Sequence, residues 1–181
     1  MSSIRSMLAE EGSWPAIREA FAQRYPHDSG WLDERMWSTW IDLDRHVALL
    51  DAAAEVMGLD GVRHIGRRRL TEELRAGLFA RIVRSWLRSF AEHPSYLLRV
   101  APYLWRAGFR DCGDMLLQKA DARSLDYCLQ GAPPHLLQSD AWRALLEGFA
   151  QGMFELARVE GDIAFDSPEG EPEVVYITCR W

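Results

Sequence analysis

The feature that most constrains this chain lies near its end, where one long amphipathic helix is flanked on each side by a pair of short strand-like segments. Trp142, Leu145, Phe149, Met153 and Leu156 recur at spacings of three and four, the signature of a helix with one apolar face. Ser139 or Asp140 stands where an N-cap belongs. Before this helix, Gly113–Ala120 and Ser124–Gly131 are separated only by Asp121-Ala122-Arg123, and Pro133-Pro134 ends the second of them. After it, Asp162–Phe165 and Val174–Cys179 flank a turn cluster, Ser167–Pro172, and the last segment is rich in β-branched and aromatic residues. Each pair predicts a β-hairpin. Two hairpins flanking one amphipathic helix have few ways to bury their apolar faces, and the simplest is one four-stranded antiparallel sheet with the helix across it.

The front of the chain reads as helical. A first helix is expected from Trp14 through Phe21, with Ser13 as N-cap, Pro15 in the first turn and Pro26 as the stop. Trp31, Met36, Trp37 and Trp40 suit a short helix or a packed loop. Val47, Leu50, Ala54 and Met57 form a helical stripe that ends at Gly58, and a second helical stretch covers Gly61–Leu70. Thr71, followed by Glu72 and Glu73, reads as the N-cap of a central buried helix carrying Leu74, Leu78, Ile82 and Trp86 on one face. One further helix, His93 to about Ala107, is closed by Gly108. The expectation is a single α+β domain over residues 1–181: an N-terminal helical region to about 110, then a β-β-α-β-β unit from about 111. A chain of this length buries roughly 70% of its unfolded surface and needs neither disulfide nor metal to fold.

Composition excludes several classes. No segment predicts a signal peptide or a membrane span. Cys112, Cys128 and Cys179 are odd in number and widely spaced, which predicts free thiols and a cytoplasmic protein. A sequence pI of about 5.4 argues against nucleic acid. The net charge of −6 conceals an asymmetry: residues 61–110 are strongly basic, whereas residues 1–60 and 111–181 are acidic.

The order of elements, helices followed by β-β-α-β-β, resembles the fold shared by haem nitric-oxide/oxygen-binding sensor domains, vinyl-reductase-like small-molecule-binding domains and the Bet-three-type subunits of the Golgi tethering complex. Arg24-Tyr25-Pro26, His64-Ile65-Gly66-Arg67, the Pro94–Pro102 segment, Gly152 and the closing Tyr176-Ile177-Thr178-Cys179-Arg180-Trp181 also resemble a paralogous family of myxobacteria of unknown function. The resemblance implies a ligand held between helices and sheet.

Haem is disfavoured by the residues themselves. His93 falls roughly where the sensor relatives place their iron ligand, but it precedes Pro94 and so starts a helix instead of sitting on an interior face. The sensors' Tyr-x-Ser-x-Arg element is absent, because Tyr127 is followed by Leu129 and Gly131. The histidines and cysteines show no metal-ligand spacing, and no Gly-x-Ser-x-Gly or phosphate loop occurs. No cofactor is expected.

Two clusters remain. Trp86, Phe90, Tyr96, Tyr103 and Trp105 are the candidate lining of an apolar ligand cavity, against the plainer reading of an aromatic core. Arg67, Arg68, Arg81, Arg84 and Arg88, with Arg63 and Arg69 beside them, could grip an acidic protein partner. The plainer reading there is that the acidic ends fold back and neutralise them. The sequence therefore predicts a non-enzymatic regulatory or sensory domain that binds a small apolar ligand, a protein partner or both. The alternative is a structural module that homodimerises through a helical face.

Overall fold

The computed structural model describes residues 8–9, 12–27, 32, 43–76, 94–109, 111–171 and 173–181. The elements are α1 (Trp14–Arg24), α2 (Leu43–Ala76), α3 (Pro94–Leu98), α4 (Ala101–Gly108), β1 (Asp114–Ala120), β2 (Ser124–Gln130), α5 (Pro134–Gln138), α6 (Asp140–Ala157), β3 (Asp162–Asp166) and β4 (Val174–Arg180). The expected α+β architecture is present. The four strands form one antiparallel sheet in the order β1-β2-β4-β3, so the two hairpins join through their second strands. Leu125, Tyr127 and Leu129 on β2 and Val175, Ile177 and Cys179 on β4 are buried and supply the sheet's contribution to the core. A bulge between Leu117 and Lys119 shifts the register of the edge strand β1.

α6 is buried around much of its circumference, because a second helix lies on it as well as the sheet. That helix is α2, and two glycines explain how closely they meet. A Cβ on Gly148 would sit 2.1 Å from the Arg63 carbonyl oxygen, and one on Gly66 would sit 2.4 Å from that of Leu145. No side chain fits between backbones at that separation. Glycine costs about 1 kcal/mol relative to alanine inside a helix, and here it makes the crossing sterically feasible.

α2 is two helical legs joined at Gly58, whose φ of 71° and ψ of 171° no residue with a side chain adopts comfortably. A straight helix would hold His46 and Arg69 roughly 34 Å apart. The non-helical Gly58 breaks that straight path, and the two legs run in different directions. The helix end expected at Gly58 is present. The N-cap expected at Thr71 is not: Thr71 lies inside the second leg, 8% exposed, and its hydroxyl donates back to the carbonyls of Arg67 and Arg68 at 3.0 and 2.9 Å.

The helix expected from His93 to about Ala107 is two short ones, α3 and α4. Pro102 has no N–H to give the Leu98 carbonyl four residues earlier, and the helical ladder breaks there. α5, which follows Pro133-Pro134, was not apparent in the sequence. Ser139 is the cap of α6, its hydroxyl accepting from the Trp142 amide at 3.1 Å. Among the described residues, no helix is long and apolar enough to cross a membrane.

Candidate ligand site between the helices and the sheet

The interior that the sequence marks out as a ligand site is bounded by α3, α4, α6 and β2. Its chemistry starts with the broken ladder. The Leu98 carbonyl, left without a helical partner by Pro102, accepts the Tyr127 hydroxyl at 2.8 Å, tying α3 to the middle of the sheet. Burial, and then the neighbouring Cys179, push the Tyr127 phenol far above its ordinary value, with Arg99 opposing them. This hydroxyl is a neutral donor fixed on one acceptor.

Trp105 is the aromatic candidate that lies inside, 3% exposed. Its indole N–H donates to the Gly113 carbonyl at 3.0 Å, its ring stacks on Phe109 at 4.3 Å, and it meets Trp142 edge-on at 5.7 Å. Trp142 is wholly buried, and its indole nitrogen has no acceptor. It is the one buried side-chain nitrogen or oxygen without a partner among the described residues. Such a group forfeits about 1–3 kcal/mol unless something supplies a lone pair.

Tyr96 and Tyr103 are not gathered here. Tyr103 is 70% exposed and Tyr96 42% exposed, with the Arg99 guanidinium 5.7 Å above the Tyr96 ring. Both belong to the surface of α3 and α4 and not to a cavity wall, because the turn at Arg99–Val100 rotates these short helices so that Leu98 and Trp105 face inward. Trp86 and Phe90 lie outside the described residues. So do Arg81, Arg84 and Arg88. The remaining arginines are engaged within the chain: Arg67 with Glu155 at 2.8 Å, Arg68 with Glu72 at 2.8 Å, and Arg63 with Glu147 and Asp60. Glu147 and Glu155 are on α6, so at Arg63 and Arg67 the acidic part of the chain folds back onto the basic part, whereas Arg68 pairs within its own helix. The sequence reading passed over Trp142 and Tyr127 as site residues. The trace in the sequence of the Tyr127–Leu98 bond is a proline four residues after a leucine, and nothing there marks the Trp142 nitrogen.

The donor set can be tested against haem, the group the resemblance raises. Burial, then Asp111, pushes the Cys112 thiol up to about 11, and burial, then Asp162 and Asp126, pushes Cys179 up to about 12. Cys128 is raised by burial and then Glu171. Near neutral pH all three are thiols, which ligate metal poorly. The sequence of α3 and α4 contains no histidine, and His93 lies outside the described residues. His46, held down to about 4 by burial and then by Arg69, is neutral, but the guanidinium beside it opposes a cationic centre. His27, His64 and His135 are exposed. Among the described residues no three metal-ligating side chains gather. Among the described residues, no histidine stands on α3 or α4 to serve as the single axial ligand a haem takes.

Comparison with solved structures gives the same architecture. The Fe(II) unliganded H-NOX protein from K. algicida superposes with a TM-score of 0.63 at 12% identity, covering 98% of this chain and 91% of that one. A mutant of the same protein gives 0.68 at 11% identity, with the same coverage. A mutant of the T. tengcongensis H-NOX gives 0.59 at 11%, covering 98% and 92%. The chain therefore has the fold of H-NOX domains along nearly its whole length. No protein-family model matches the sequence, and no curated protein matches it.

Proposed function

We propose that this chain is a sensory or regulatory domain, neither enzyme nor haem protein, that binds a small and largely apolar ligand between the helices and the sheet. The fold likeness supports a sensor's architecture, and one observation carries the ligand: the unpaired Trp142 N–H inside an otherwise apolar interior. An apolar molecule bearing one acceptor atom, such as a carbonyl or ether oxygen, would satisfy it. Trp105 and Tyr127 have already committed their donors, so the ligand is selected by shape and by one hydrogen bond. The protonated, buried thiols favour a non-catalytic role, and three unbridged cysteines suit the reducing cytoplasm.

Native mass spectrometry of the purified protein tests this. The expected result is a retained neutral adduct that Trp142→Phe loses, with no porphyrin absorption after expression with a haem precursor. A stoichiometric porphyrin band, or a Trp142→Phe protein that retains the same adduct, would overturn the reading.

A further inference from the structure

A cleft of about 470 Å³ opens at a second place, between α1, the first leg of α2 and α5, and it owes nothing to the reading above. Its size falls in the range of small-molecule sites. The base is apolar: Phe21 and Val47 are buried, and the Tyr25 ring lies 5.3 Å from that of Phe21 at a tilt of 34°. The mouth is polar. Asp51 accepts the Ser139 hydroxyl at 3.1 Å, and Asp44 accepts His135 Nε2 at 2.9 Å.

Asp51 is the informative residue. Its carboxylate is half-buried, one helical turn beyond Val47 and Ala48, on a helix face otherwise given to core packing. Ser139 fixes it from the side while capping α6. A carboxylate offers about four lone-pair positions, and one hydroxyl takes only one of them. A charge held at the edge of an aromatic base, with acceptor capacity to spare, is the arrangement that recognises an organic cation by ion pairing and by the ring faces together.

We propose that this cleft binds a small primary ammonium compound with an apolar or aromatic body. The nitrogen sits against Asp51 and the body lies on the exposed Tyr25 ring and the edge of Val47, with Phe21 behind them. Arg45 in the same wall offsets part of the acidity, which favours a monocation over a polyamine.

The test uses 2-phenylethylammonium and its neutral counterpart 2-phenylethanol, titrated into the full chain by calorimetry or ligand-detected NMR. The amine should bind at least tenfold more tightly than the alcohol. Asp51→Asn retains a carbonyl oxygen for Ser139 and removes the charge, so it should keep the thermal midpoint and lose the tenfold preference. Equal binding of amine and alcohol, no binding of the amine at millimolar concentration, or an unchanged preference in a folded Asp51→Asn protein would each overturn the proposal. Should Asp51→Asn fail to fold, the amine–alcohol comparison on the unaltered chain decides the matter alone.

Discussion

Gly148→Ala is the substitution whose sign is most informative. In an uncrowded helix it would stabilise the protein by about 1 kcal/mol, since alanine is the better helix former. Here the added methyl carbon would lie 2.1 Å from the Arg63 carbonyl oxygen and 2.9 Å from the Arg67 nitrogen. Both atoms belong to backbone and cannot swing aside as a flexible side chain would. Restoring ordinary contact requires α6 and α2 to separate by about 1 Å or more, and packed interiors resist this at roughly 1–3 kcal/mol, sometimes more. Separation also loosens the neighbouring Leu145 and Ile65, both nearly fully buried. The net expectation is a loss of about 1–3 kcal/mol. For a chain of this length that is a fall of roughly 3–10 °C in Tm, with a matching fall in the urea midpoint. Gly66→Ala strikes the same crossing at 2.4 Å from the Leu145 carbonyl, so the double substitution should cost less than the two single ones combined, the first having already opened the gap. A Gly148→Ala protein more stable than the parent would refute the close crossing.

Tyr127→Phe strands the Leu98 carbonyl and should cost about 1–3 kcal/mol in urea unfolding; an unchanged midpoint would show that the carbonyl has another partner. His46 titrates near 4 when folded and near 6.5 when unfolded. Between those values the unfolded chain holds the extra proton, so stability present above about pH 6.5 is lost as pH falls toward 4, by up to about 3–4 kcal/mol at 1.36 kcal/mol per unit. His46→Gln should flatten that part of the stability–pH curve, and an equally steep curve in the variant would assign the loss to other groups. Cys112, Cys128 and Cys179 should react slowly with a thiol reagent at pH 8 in the native protein and all three rapidly in denaturant. Immediate labelling of the folded chain would contradict their burial.

The C-terminal unit was legible in the sequence because its signals are local and agree with one another. β-branched runs, a proline–glycine turn and a helical stripe each predict the same element from its own residues, and Ser139 adds a cap. Thr71 misled because a threonine followed by two glutamates looks the same whether it begins a helix or lies within one. Only its tertiary environment decides, and there its hydroxyl is turned back onto the preceding turn. Tyr96 and Tyr103 lie on the surface for a related reason: spacing places them near Trp105 along the chain, but the break at Pro102 decides that Trp105 alone of the three turns inward. The charge asymmetry suggested that acidic and basic segments would meet, while the particular partners of Arg63 and Arg67 depend on how α6 lies across α2. Gly66 and Gly148 read in isolation as weak points in two helices, and nothing in either segment announces that they are opposed.

At Gly66 and Gly148, α6 and the second leg of α2 meet main chain to main chain, with no side chain at that point to absorb a displacement. The glycine at 58 joins that second leg to the first, which carries the wall of the outer cleft. A shift of α6 passed on at that crossing would reach the outer cleft as a change in the angle at this glycine.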